Sequence, residues 1–288
     1  MSTAARIREG AQAHWYSLSG KPCYGVPYAD KKKAGEERPA TLADARKLGL
    51  LRSVTTYLKA LAKPELEAWK TEQACLAVLT SPEIPGEALD ARVHRILQVD
   101  KEHVQEAKQK ADLGKRIHAA LQERFAGLPD VFVPWPDDLA PYLEPAYQAF
   151  LEKLHPANWS GRFHTERVLV GDGYAGCTDL IAECQEADVL ADWKSTGTLP
   201  TKSSWLEHEI QLSAYAAAWA KLLPQPKYIA TANVYISTAK PGEFAIHMNR
   251  PWQETYNKAF CSVVDLVCWM DGYDPRPLQR EAIAKGVA

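Results

Sequence analysis

The sequence predicts an α/β (α+β) fold whose N-terminal half is mainly helical. Three observations carry that expectation. A long amphipathic stretch around 103–125 is well supplied with Lys/Glu pairs. Segments that read as strands begin only after residue 160. An alanine-rich helical segment, 205–222, separates two groups of those strands.

Taken in order, residues 1–50 look irregular at first, with frequent turn residues from Ser17 to Pro39 and a basic cluster at Lys31, Lys32 and Lys33 that reads as a solvated loop. Thr41 is a plausible N-cap for the helix that follows. Ser53-Val54-Thr55 opens another helical stretch, and Pro64 breaks or restarts it. Leu58/Leu61 and Leu66/Trp69 each keep helical spacing. Residues 81–86 form a loop, and 87–126 give one or two helices. Five prolines between 127 and 145 forbid a regular helix through most of that connection, and a helix is expected at about 147–154. Strands are expected at 167–171, 177–183 and 188–194, then at 228–236 with a hairpin partner at 243–248 across Pro241-Gly242. Pro251 starts a last long helix to about Met270. The expected division is 1–160, mainly helical, and 161–288, a β-rich core, packed as one unit.

The chain has 288 residues and a formal net charge of −2, so it is not globally basic. If it binds nucleic acid it does so through a local patch, a metal ion, or both. Its 46% apolar and 24% charged content is that of an ordinary globular protein. Six cysteines without a CxxC read as reduced thiols rather than a zinc site or a disulfide framework. No segment approaches the ~20 apolar residues of a membrane span. The N-terminus has no apolar signal-peptide core. An intracellular, cytoplasmic protein without membrane contact is the expectation.

The informative stretch runs from Gly176 to Tyr215. If Cys184–Ala187 make a four-residue loop, paired residues of the flanking strands sum to 371, and Asp179 stands opposite Asp192. Strand alternation puts Lys194 on the same face as Asp192. Facing aspartates repel; relief comes from a raised pKa or from a divalent cation. Mg²⁺ and Mn²⁺ take one or two carboxylates plus water and phosphate oxygens, and a lysine beside them orients water or stabilises developing charge. That is equipment for phosphodiester hydrolysis.

Gly176-x-x-Asp179, Asp192-Trp193-Lys194-Ser195-Thr196 and Gln211-x-x-x-Tyr215 together resemble the PD-(D/E)xK nuclease superfamily, and more closely its RecB-type branch. Gly114-x-x-x-His118 resembles that branch's histidine motif. Ser53-Val54-Thr55 with Leu66-x-x-Trp69 resembles the start of phage and mitochondrial-genome-maintenance-type exonucleases. The resemblance touches residues ~50 to ~220. It implies a central mixed sheet of the restriction-endonuclease-like type flanked by helices, with the His118 helix contributing to the site. It implies Asp179, Asp192, the Trp193 carbonyl and His118 as ligands of one or two Mg²⁺ or Mn²⁺ ions, and Lys194 as the catalytic lysine. Gln211 and Tyr215 would shape the site or touch DNA. Ser195, Thr196 and Lys202 are further substrate-side candidates, and Glu166 is a possible additional acid. Lys202 and Ser203-Ser204 read equally as phosphate contacts or as an N-cap for the next helix.

The implied activity is a metal-dependent deoxyribonuclease, an exonuclease acting on single-stranded DNA or free DNA ends in replication, recombination or repair. A partner protein and a phage-encoded setting in a bacterial host fit that role. Alternatives are a structure- or sequence-selective endonuclease and a non-catalytic nucleic-acid-binding protein on the same fold. Cys261 and Cys268 lack the third nearby ligand of the iron–sulfur relatives, so no cluster is expected. Trp193, Trp205, Trp219 and Trp269 read as core, and Trp135 as the best candidate for exposed base stacking.

Overall fold

The computed structural model describes residues 14–28, 35–61, 64–128, 131–153 and 159–286. The Lys31–Lys33 cluster lies outside them. Ten strands and nine α-helices occur among the described residues. The strands are β1 (Trp15–Tyr16), β2 (Pro22–Cys23), β3 (Gly25–Pro27), β4 (Glu37–Pro39), β5 (Leu51–Ser53), β6 (Trp159–Val170), β7 (Tyr174–Cys184), β8 (Ala187–Thr196), β9 (Tyr228–Ser237) and β10 (Phe244–Met248). The helices are α1 (Leu42–Leu48), α2 (Val54–Leu58), α3 (Pro64–Thr80), α4 (Leu89–Gly127), α5 (Ala140–Lys153), α6 (Leu206–Ala220), α7 (Trp252–Thr255), α8 (Cys261–Asp271) and α9 (Arg276–Ala284).

Eight strands form one mixed sheet in the order β10-β9-β8-β7-β5-β1-β2, with β6 also on β7. β8 runs parallel to β9, and β5 parallel to β7; the other pairs are antiparallel. Helices cover both faces. On one, Ile181, Leu190 and Ile229 meet Ile210, Tyr215 and Trp219 of α6 and Val264 of α8. On the other, Leu180, Ala191, Trp193 and Val234 meet Ile117, Leu121 and Phe125 of α4 and Leu143 and Phe150 of α5. No helix among the described residues is long and apolar enough to cross a membrane.

The β7–β8 hairpin has the expected register. Leu180 pairs Ala191, Ile181 pairs Leu190 and Ala182 pairs Val189. The β9–β10 hairpin across Pro241-Gly242 also forms, with Phe244 opposite Ile236. Thr41 caps α1 in a capping box: its Oγ1 accepts from the Asp44 N–H at 3.4 Å, and Asp44 Oδ2 accepts from the Thr41 N–H at 2.8 Å. Ser53 caps α2, accepting from the Thr56 N–H at 3.1 Å.

Several expectations are corrected. The stretch up to Pro39, expected to be irregular, carries strands: β1 and β2 extend the main sheet, and β3–β4 form a small one. α5 begins at Ala140 and contains Pro145; Pro141 sits in its first turn, where a missing N–H costs nothing. The last long helix is interrupted by a π-helical turn, Tyr256–Phe260, between α7 and α8, and α9 follows it. Trp193 and Trp219 are core residues, but Trp269 is 81% exposed and Trp205 is 37% exposed. Trp135 is no free stacking platform: its indole N–H bonds Glu144, its ring meets Tyr147 edge-on, and the Arg124 guanidinium lies 4.2 Å from it.

Candidate active site

Asp179 lies where the β7–β8 ladder stops. The next residues along the 371 register are Asp179 and Asp192. There the Trp193 N–H donates to Asp179 Oδ2 at 2.8 Å, where a ladder partner would stand. In a strand the N–H and C=O of one residue share an edge, so the Trp193 carbonyl also faces the β7 side. Asp192 is 2% exposed, and its Oδ2 lies 2.6 Å from Lys194 Nζ. That is an ion contact without hydrogen-bond alignment, and Asp192 Oδ2 is a buried oxygen with no hydrogen-bond partner.

His118 reaches the same point from α4, its Nδ1 3.4 Å from Asp179 Oδ2. The helix can approach this closely because residue 114 is glycine: a Cβ there would stand 2.3 Å from Ser195 Oγ on β8. A second glycine works the same way on the α6 side. A Cβ on Gly176 would stand 2.6 Å from the Tyr215 ring. Tyr215 is thus packed onto the strand that carries Asp179, and its hydroxyl accepts from Gln211 Nε2 at 3.2 Å. Gln211 Oε1 in turn accepts from Lys194 Nζ at 3.3 Å. Tyr215, Gln211 and Lys194 therefore form one chain of contacts ending on Asp192. Tyr215 is buried, 2% exposed.

Charge and burial set the protonation states. Burial pushes the Asp179 carboxyl well above its ordinary value, and the Asp192 charge pushes the same way; Lys194 and the Trp193 N–H only partly oppose them. Burial alone would lower Lys194, but Asp192 and Asp179 outweigh it, and the ammonium is held above its ordinary value. Burial depresses His118, against the pull of Asp192, so its imidazole is neutral near neutral pH.

Glu166 joins the group. It has φ 48°, the one non-glycine residue with positive φ among those described, in the stretch of β6 between the Thr165–Leu180 and Arg167–Thr178 pairs. Such a conformation is strained and tends to sit at functional sites. With His118, Gln122 and Asp179 it lines a cavity of about 10 Å³, room for one water. Of the remaining sequence candidates, Ser195 packs against Gly114, while Thr196 Oγ1 donates to the Thr198 carbonyl in a local turn. Lys202 is exposed before α6. The N-cap of α6 is Trp205, with no side-chain cap, and Ser204 bonds Asn249 Oδ1 instead.

A second cleft, about 200 Å³, adjoins through Lys194 and Gln211 and is also lined by Thr55, Leu58, Lys59, Glu207 and His208. No motif in the sequence marks His208, although it lies three residues before Gln211 on one helix and so shares a face with it.

Among the described residues no set of three or more His, Cys, Asp or Glu side chains forms a ready cation cage. The residues present nonetheless fit a hard dication of the kind that binds through one or two carboxylates. They offer a buried carboxylate oxygen without a hydrogen bond, a second carboxylate destabilised by the first, and a carbonyl on the same edge.

A family model of the PD-(D/E)XK nuclease superfamily matches residues 88–265. No curated protein matches. Among solved structures, the crystal structure of SSO0001 is 16% identical, with 44% of this chain and 59% of that one covered and a TM-score of 0.26. The chain therefore spans less than two thirds of that protein's length. The matched interval runs from the His118 helix through the paired aspartates to Gln211 and Tyr215, leaving outside it Thr55, Leu58 and Lys59 of the second cleft, and the chain belongs to the PD-(D/E)XK nuclease superfamily.

Proposed function

We propose that the protein is a Mg²⁺- or Mn²⁺-dependent deoxyribonuclease of the RecB-type branch, an exonuclease that hydrolyses DNA from a free end. The observation that carries this reading is the convergence of Asp179, Asp192 and Lys194 from neighbouring strands: Lys194 Nζ lies 2.6 Å from the buried Asp192 Oδ2, and the charges of both act on Asp179. Asp179, Asp192 and the Trp193 carbonyl would hold the ion. When bound, it supplies Lewis-acid polarisation of the phosphate and an activated water. Lys194, kept charged by its two acidic neighbours, orients the attacking water and offsets charge developing on the phosphate oxygens. Gln211 fixes the ammonium, and Tyr215 fixes Gln211. Neutral His118 and Glu166 approach from the opposite helix and strand, where a second ion or the scissile phosphate would lie.

The exonuclease assignment rests on the resemblance at Ser53–Thr55, which cap and open α2, and at Leu66 and Trp69, which fall in α3 with side chains outside the described set. Residues 1–160 and 161–288 are proposed to act as one unit, because β5 pairs directly with β7. A cytoplasmic, phage-encoded protein working beside a recombination or replication partner is the setting this reading favours.

Digestion of linear and closed circular single strands in Mg²⁺ or Mn²⁺ tests it. Linear DNA should shorten progressively and circular DNA should resist. Discrete bands would instead identify an endonuclease. Binding without digestion would identify a non-catalytic protein.

A further inference from the structure

The second cleft is rich in donors. Thr55, Lys59, Lys194 and His208 surround it, with Glu207 the single carboxylate among its lining residues. That balance suits an anion. His208 is the most constrained of the group. Its ring stacks on Tyr235 at 5.7 Å and 30°, and Trp205 meets it edge-on at 5.4 Å. Its Nδ1 lies 3.0 Å from the Tyr235 hydroxyl, whose oxygen also accepts the Trp205 N–H at 3.1 Å. With Nδ1 held there, Nε2 lies 3.6 Å from Glu207 Oε1, another residue lining the cleft.

We propose that His208 is a further substrate-contacting residue, donating from Nε2 to the backbone phosphate that flanks the scissile linkage on the Lys194 side, and that Tyr235 is the positioning residue that sets its ring. The proposal rests on the nuclease reading above. A phosphate there lies in a cleft whose lysines supply the net positive charge, and Glu207 opposes it. The cleft therefore contributes to holding DNA rather than to bond breaking, so loss of His208 acts on KM before kcat.

The test uses the full chain with Mn²⁺ and linear oligonucleotides carrying one neutral methylphosphonate, stepped along the strand. Wild type should slow at the scissile linkage and again at one flanking linkage. His208→Ala should raise KM about tenfold, the scale of one hydrogen bond to a charged group, with kcat nearly unchanged, and should lose the penalty at that flanking linkage alone. His208→Gln, whose amide nitrogen reaches the Nε2 position, should restore both; His208→Asn, which reaches only the Nδ1 position, should not. Glu207→Gln should lower KM. If His208→Ala fails to fold, the Gln/Asn pair reads the same difference. A wild type that cuts DNA while His208→Ala keeps the flanking penalty, or an Asn variant that rescues as well as Gln, overturns the role of His208 alone. No cleavage by wild type overturns the nuclease reading and this proposal with it.

Discussion

Strand β8 carries two buried aspartates four residues apart, Asp188 and Asp192, 1% and 2% exposed. Both have a lysine within 2.6 Å. They are otherwise opposite in kind. Asp188 is fully satisfied: its Oδ1 accepts from Lys227 Nζ at 2.5 Å and the Cys184 N–H at 3.3 Å, and its Oδ2 accepts from the Trp219 indole at 2.9 Å. It ties the β7–β8 turn to α6 and to the start of β9. Asp192 has a lysine and a buried oxygen left without a hydrogen bond, beside a second carboxylate. A buried carboxylate with both oxygens hydrogen-bonded holds structure; one with a buried oxygen that makes no aligned hydrogen bond is prepared for something the chain does not itself supply.

Four substitutions set that contrast at risk. Asp192→Asn should lower the rate of DNA digestion by about 10³-fold or more, the scale seen when one preorganised electrostatic group is lost, while the thermal midpoint holds. A large fall in stability would make Asp192 a second Asp188. Asp188→Ala should do the reverse, costing about 3–5 kcal/mol in denaturant unfolding because Lys227 and the Trp219 N–H lose their buried acceptor. Gly176→Ala should cost about 1–3 kcal/mol through overpacking against Tyr215, and it should also slow catalysis, since the displaced ring carries Gln211 and Lys194 with it.

The fourth is a pH experiment on Asp179. Its carboxyl is raised in the folded protein, so between the unfolded value of about 3.9 and the raised one, the folded state binds more protons than the unfolded state. Stability from this group is therefore present at low pH and lost as pH rises through the folded pKa. Metal-free Asp179→Asn should be more stable than wild type at pH 7, and the gap should close towards pH 4. Adding Mn²⁺ should raise the wild-type midpoint alone. A gap independent of pH would show that burial and Asp192 do not hold the Asp179 carboxyl above its ordinary value.

The β7–β8 register was legible because period-two alternation and one short turn suffice to define it, and the facing of Asp179 and Asp192 follows from counting. The Thr41 cap and the β9–β10 hairpin were legible for the same local reason. What the sequence hid is non-local. β1 and β5 are two and three residues long, too short to carry a period; β5 exists because β7 offers it an edge, and β1 because β5 then offers it the next one. Trp135 lies in a proline-rich segment that looked solvated, but Arg124 and Tyr147 draw it down. Gly114 and Gly176 could be seen as motif letters, yet their purpose, leaving room for Ser195 and Tyr215, appears only when helix and strand meet. His208 escaped notice because its neighbour Tyr235 comes from a strand 27 residues away.

The π turn at Tyr256–Phe260 holds one residue more than an α-helix of that length would wind. Its effect is angular. Removing a single residue there would let the helix close regularly, but everything downstream would rotate by about 100°. Val263, Val264 and Val267, buried on α8, would swing away from the core they now pack against. The extra residue sets the phase of the C-terminal helix, and deletion scanning through 256–260 should find a locally better helix on a globally worse protein.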